Sequence, residues 1–309
     1  MTELTAETAS ALIPARASSA AKWAFGRVLL CCGSAAAPGA AVLATLGALR
    51  SGVGLCRLAS VPSVLAAAAV RCPAAMQLPL SESAARVISA DALPLLTDDP
   101  ASAVLFGCGI GCTDDGRALL RGLLTHVRGT LVLDADALNL LAEQPALLRT
   151  RDAPTLLTPH ARELARLCGR TDAGIGDAVR FAQAHRVTLL CKGSVSTVVT
   201  PEGAVFRLDA PNDGLAKGGS GDLLAGLIAG LAAQGCPPAE AAALGAYLHS
   251  RAGHFAYLRR GARAMLPDDV ADALSDAWQE AEKAENQGTE SHGYGGNNIR
   301  NPIREVSHG

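Results

Sequence analysis

One rhythm runs through this sequence: a short apolar run ending in glycine, serine or an acid, then a helix-like stretch, then another apolar run. "GRVLLCCGS" (Gly26 to Ser34) is the first such run. "APGAAVLATLGALRSG" follows, with proline near a helix start and Gly52 after its last turn, and "GLCRLAS" is the next strand. "SAVLFGCGIG", "DDGRALLRGLLTHV", "GTLVLDADALNLLAEQ" and "PTLLTPHARELARLCG" continue the alternation. "RVTLLCKGSVSTVVTPEGAVFRL" extends it with a hairpin-like "TPEG" turn. Continuous apolar strands separated by helices call for a mostly parallel sheet covered on both faces, so the expected fold class is α/β.

The 309 residues are enough for one large domain. The expected organisation is an N-terminal leader over 1–21, one domain over 22–278, and a polar tail over 279–309 that carries too little apolar matter to order itself. The net charge is -2 with no block of Lys or Arg, which leaves no footprint for nucleic acid or an acidic membrane surface. Aromatic residues make up only 3% of the chain, which offers little for base stacking and favours a small-molecule ligand. The nine cysteines are odd in number, sit mostly in apolar runs and show no paired CxxC spacing, as expected of reduced thiols in a cytoplasmic protein. Cys108 and Cys112 are four apart but have no His or further Cys nearby to complete a zinc set. The start shows no apolar secretory core, and the charge-free run from Cys31 to Leu49 reads as strand, loop and helix.

In parallel α/β sheets, ligands sit outside the carboxyl ends of strands. Four loops therefore attract attention: Gly33 to Ala40, Gly107 to Gly111, Thr158 to His160, and "NDGLAKGGSGDLLAGLIAGLAAQG" over 212–235. "FGCGIG" resembles a dinucleotide fingerprint but lacks the third glycine spacing and the later acid. The last loop is more specific. Gly218, Gly219, Ser220 and Gly221 precede a long apolar helix, so unpaired amides at its N-terminus should bind a phosphate. Asp222 is either an acid favoured by the helix dipole or a base beside a phosphoryl site. No GK[ST] closes the run, so it is not a Walker loop. Lys217 is a charge partner or merely solvated. Lys192, amid apolar residues at a strand end, suits a nucleotide phosphate or a snorkelling edge position. Asp134 and Asp136, read as pointing to one side of a strand, suit a divalent ion or a helix cap. His160, with Glu163 three residues on, suits substrate contact or a capping box.

Taken together, these motifs resemble the ADP-dependent NAD(P)H-hydrate dehydratases of the ribokinase-like fold. The resemblance runs from about Leu12 to Ala273 and keeps "FGCGIG", "VLDADALNLL", "TPHARELARL", "CKGSVSTVVTPEG" and "NDGLAKGGSGDLLAG" in order. It implies a three-layer α/β/α sandwich and dehydration of the S epimer of NADHX or NADPHX to NADH or NADPH, with ADP as co-substrate converted to AMP and phosphate. Mg²⁺, a homotetramer and a separate NAD(P)H-hydrate epimerase are implied too. By the family pattern Asp222 is the general base, and Ala40, Gly109 or Gly111, His160 and Asp222 line the hydrate site. Lys192, Gly193, Ser194, Val195, Ser196 and Gly221 hold the AMP part, and the amides of Gly218, Gly219, Ser220 and Gly221 stabilise the moving phosphoryl. The metal ligands are left open.

The chain departs from the pattern at "SAAAPGAA", at "TPHAR", where Ala161 and Arg162 replace Pro-Gly, and at "SAAKWAFG", which lacks a customary histidine. Arg162 is a candidate reader of a 2′-phosphate. The rival expectations are a ribokinase-like kinase that phosphorylates a sugar or vitamin-precursor alcohol with ATP, and a non-catalytic sensor of adenine nucleotides.

Overall fold

The computed structural model describes residues 1–291, and all that follows concerns those residues. Its strands are β1 (Thr2–Glu3), β2 (Arg27–Cys31), β3 (Leu55–Ser60), β4 (Met76–Pro79), β5 (Ala103–Phe106), β6 (Thr130–Leu133), β7 (Thr155–Leu157), β8 (Thr188–Cys191), β9 (Val195–Val199) and β10 (Val205–Asp209). They form one sheet in the order β1-β10-β9-β8-β7-β6-β5-β2-β3-β4. Only β9 runs antiparallel to its neighbours; every other pairing is parallel. The "TPEG" turn joins β9 to β10, with Gly203 in the left-handed region.

The helices are α1 (Ala6–Ser10), α2 (Pro38–Arg50), α3 (Pro62–Arg71), α4 (Leu93–Thr97), α5 (Asp114–His126), α6 (Asp136–Ala142), α7 (Ala161–Leu167), α8 (Ile175–His185), α9 (Ser220–Ala233), α10 (Pro238–Ala264, kinked at Gly261) and α11 (Pro267–Ser291). Helices α2, α9, α10 and α11 pack on one another, while α5, α6 and α7 form a neighbouring series and α8 rests on β8 and β9. All residues of β5 and β7 are buried. This is why those strands are apolar without alternation: each face meets a layer of helix. The result is the expected three-layer α/β/α sandwich.

Helix α9 is buried all round from Leu223 to Ala233, which explains its lack of a polar stripe. It lies directly on α2, and two glycines permit the approach. A Cβ at Gly226 would collide with the Ala44 carbonyl, and one at Gly47 with the Leu223 carbonyl. This backbone-to-backbone contact fixes the start of α9, and with it the glycine loop, beside the start of α2.

Two expectations about the ends are corrected. The leader is part of the fold: β1 pairs with β10, and Leu4, Ala9 and Leu12 are buried. So few apolar residues give no readable period, yet a sheet edge and the α10–α11 surface suffice to order them. The polar tail does not begin at 279, because α11 continues through Ser291, with Ala281 buried and Glu280 paired to Arg251 at 2.9 Å. The remainder of the expected tail lies outside the described residues. No helix among the described residues is long and apolar enough to cross a membrane.

Candidate active site

The carboxyl ends of β5, β6, β7 and β8 converge on the N-terminus of α9. Gly219 caps that helix in the left-handed region, where a Cβ would strike Leu43 of α2. No side chain caps the helix, and none of the described residues accepts a hydrogen bond from the amides of Gly221 or Asp222. These N–H groups are free for an anion. Helix α5, which follows the "FGCGIG" loop, is the opposite case. Thr113 caps it, and Asp114 and Asp115 occupy its first turn, so its positive end is already answered and repels phosphate. The three glycines of that loop, Gly107, Gly109 and Gly111, are all at positive φ, as its tight turn requires.

Asp222 lies beside Cys108 and Asp134, with one ligating atom from each of the three within 4.8 Å of the others. Burial, and then the neighbouring charge of Asp134, push the Asp222 pKa up to about 6. Asp134 is itself buried; its Oδ1 accepts from Lys192 Nζ at 2.6 Å and from the Thr158 hydroxyl at 2.8 Å. Burial works against the Lys192 charge, but Asp134 and then Glu163 outweigh it and hold the ammonium above its usual pKa. Lys192 Nζ stands 3.3 Å from where a Cβ of Gly221 would be, so this cation faces the open amides of α9.

The expectation that Asp134 and Asp136 share one side of a strand is corrected. β6 ends at Leu133, and Ala135 turns the chain with a positive φ, so the two acids part. Asp136 accepts from the Gly111 amide at 2.9 Å and fixes the glycine loop. His160 is a cap: its Nδ1 accepts from the amides of Arg162 and Glu163 at 3.1 and 3.2 Å, while Glu163 accepts from the His160 amide. Its ring is still half exposed and borders the cavity described next. Lys217 is half-buried and makes no ion pair among the described residues. It donates to the carbonyls of Arg263 and Met265, tying the glycine loop to the end of α10.

A cavity of about 670 Å³ opens beside Gly221, a volume typical of small-ligand sites. It brings together His160, Lys192, Gly193, Ser194, Ser196, Ser220 and Gly221. Val195 does not line it, because successive residues at the start of β9 face opposite ways. The far wall is apolar: Leu208, Ala210, Pro211, Leu215, Leu224 and Ala246, with the buried His249 among them. Sequence reasoning missed this wall, whose residues come from β10, the loop after it, α9 and α10 with no common spacing. Ala40, Gly109 and Gly111 form a second group outside the cavity. A Cβ at Gly109 would stand 2.9 Å from that of Ala40, and the Gly33 amide donates to the Cys108 carbonyl at 2.7 Å. Cys108 and Asp222 sit where the two groups meet. A smaller cavity of about 280 Å³ lies at the opposite strand ends, beside Thr155 and Thr188, and holds none of the expected site residues.

The donor set at Asp222 does not fit a resident Mg²⁺. Mg²⁺ takes hard oxygen ligands. Here one of the three groups is a thiol, held protonated by its hydrogen bond with Cys32 and by burial, and Lys192 already occupies Asp134.

An open, parallel-sheet sandwich with a glycine loop, a carboxylate at a free helix N-terminus and a lysine-lined cavity defines a protein of the ribokinase-like fold. The solved ADP/ATP-dependent NAD(P)H-hydrate dehydratase of Bacillus subtilis, co-crystallised with ATP and Mg²⁺, matches with a TM-score of 0.78 and 27% identity, covering 91% of this chain and 99% of that one. The family model for NAD(P)H-hydrate dehydratase matches residues 28–276, and the chain belongs to that family. It is 37% identical over 255 residues to the ADP-dependent (S)-NAD(P)H-hydrate dehydratase of Xanthomonas campestris, covering 79% of this chain and 85% of the relative. It is 40% identical over 278 residues to the bifunctional NAD(P)H-hydrate repair enzyme Nnr of Moorella thermoacetica. That match covers 88% of this chain but 52% of the relative, so the chain spans about half the length of that bifunctional protein.

Proposed function

We propose that this protein dehydrates the S epimers of hydrated NADH and NADPH at the expense of ADP. The observation that carries the reading is Asp222, a carboxylate at the open N-terminus of α9 with Lys192 close by. Its raised pKa suits a base that works near neutrality.

In this mechanism Asp222 takes the proton of the hydrate's hydroxyl as that oxygen attacks the β-phosphorus of ADP. The bond from the β-phosphorus to the bridging oxygen breaks, and AMP leaves. The amides at Gly221 and Asp222, together with Lys192, stabilise charge on the moving phosphoryl. Hydroxide is a poor leaving group and phosphate a good one, so loss of phosphate and a neighbouring proton from the ester restores the double bond. The sum is hydrate plus ADP giving reduced coenzyme, AMP and phosphate. Mg²⁺, expected of the family, would come with the nucleotide and would offset its phosphate charge, with no side chain of this site assigned to hold it. The large cavity takes the AMP part, with its base against Leu208, Pro211 and Leu215, and the Ala40 and Gly109 side takes the hydrate. Assembly as a homotetramer and cooperation with a separate epimerase belong to the same proposal.

The test is near-ultraviolet absorbance of the reduced nicotinamide on mixing purified protein with S-NADHX, Mg²⁺ and either ADP or ATP. A rise dependent on nucleotide, with AMP and phosphate released from ADP, is expected. Accumulation of a stable phosphorylated product without any rise would establish the kinase alternative.

A further inference from the structure

We infer that His249 is a positioning residue for phosphoryl transfer: its Nε2–H donates to Ser220 Oγ and thereby turns the serine hydroxyl proton toward a phosphate oxygen of the bound nucleotide. The inference rests on the nucleotide reading of the cavity given above. His249 Nε2 and Ser220 Oγ are 3.3 Å apart, both residues are 7% exposed, and both border the 670 Å³ cavity. Among the described residues neither side chain has a hydrogen bond to any other side chain.

The direction of this hydrogen bond follows from charge and donor counting. His249 is neutral, because burial and then the nearby Lys192 push its pKa down to about 4. A neutral imidazole carries one N–H and one bare nitrogen. The ring also meets the Ser220 backbone in a contact that favours the protonated ring, which is compatible with a ring N–H on the Ser220 side. The tautomer sets the direction of the Nε2–Oγ bond, and we assign the proton to Nε2. If the serine donated to a bare Nε2 instead, its lone pairs would face the anion site and repel phosphate oxygens. With Nε2 as donor, the Ser220 hydroxyl joins the free amides of Gly221 and Asp222 and the Lys192 ammonium as a fourth donor at the site. Because His249 belongs to α10 and Ser220 to α9, the contact also ties the apolar wall of the cavity to the phosphate loop.

The experiment is a set of steady-state and ADP-calorimetry measurements on wild type, His249→Leu, His249→Gln, Ser220→Ala and the Ser220→Ala/His249→Leu double variant, each checked for an unchanged melting profile. His249→Leu should lower kcat about tenfold to a hundredfold, the range for losing a hydrogen bond to a charged group. His249→Gln, which keeps an N–H near the Nε2 position, should return kcat to within about threefold of wild type on the same account. The double variant should be no slower than Ser220→Ala, because both changes remove one relay. Equal losses in the Leu and Gln variants, or a double variant whose loss is the product of the single losses, would overturn the inference in favour of simple packing. Nitrogen NMR of the histidine ring in the unmodified protein is an independent arm: a protonated Nε2 supports the relay and a bare Nε2 overturns it, whether or not the variants fold. If wild type binds no adenine nucleotide, the cavity reading falls and the inference with it. If wild type binds and turns over ADP while the variants match it, only the inference falls.

Discussion

Lys192 Nζ and Asp134 Oδ1 lie 2.6 Å apart although 58 positions separate them in the chain. The pair joins the ends of β6 and β8 and leaves the ammonium facing Gly221 while the carboxylate stands beside Asp222. One ion pair therefore acts on both components of the proposed chemistry, the cation at the phosphoryl site and the strength of the base.

Removing the base should separate binding from turnover. Asp222→Asn is expected to lower kcat about 10²–10⁴-fold, the usual worth of a general base, and to leave the ADP dissociation constant within about threefold. Coupled kinetics and calorimetry check it; unchanged turnover would exclude Asp222 as base.

The pH profile follows from the raised pKa. A base must be unprotonated, so kcat/KM for the hydrate should climb with pH through a midpoint at about 6 and then level off. Asp134→Asn removes a negative neighbour, so its midpoint should move to lower pH. A midpoint that stays put or rises would show that Asp134 does not act on Asp222.

The same shift makes a statement about stability. Asp222 binds its proton more tightly when folded, at about 6, than an aspartate of the unfolded chain does, at about 3.9. Stability from this group is thus present at low pH, falls as pH rises between those values, and stays lost above them. Asp222→Asn should unfold at higher denaturant than wild type at pH ~8, by about 1–2 kcal/mol once screening is allowed for, and lose that advantage below pH ~4.

Breaking the buried pair tests its two roles apart. Lys192→Met strands the Asp134 charge, whose side chain is 2% exposed, and should cost about 3–5 kcal/mol of stability. Adding Asp134→Asn should restore most of that stability but not ADP-dependent turnover. If turnover returned as well, Lys192 would have no role at the phosphoryl site.

Helix propensity and packing make opposite forecasts for Gly226→Ala. Propensity alone would stabilise α9 by about 1 kcal/mol. The collision with the Ala44 carbonyl forces the two helices apart, so a net loss of about 1–3 kcal/mol is expected in urea unfolding.

Much of the site was legible because its parts are local. The open helix N-terminus follows from glycines before an apolar helix, and the His160 box from a Glu three residues on. Asp134 and Asp136 misled, because the period-two argument holds only while the chain stays extended, and Ala135 turns it. His249 gave no signal within "YLHS", since a lone histidine in an apolar helix has no pattern to betray a partner 29 residues away.

By itself the sequence determined the α/β layering, the mostly parallel sheet and the glycine loop at an open helix N-terminus, because burial periodicity and backbone capping act over a few residues. Only the tertiary structure decided that Lys192 neutralises Asp134, that Asp134 raises Asp222, and that α10 supplies a wall and a histidine to the cavity. Those are effects of charge and contact across a few ångströms between distant segments, and spacing along the chain carries no record of such distances.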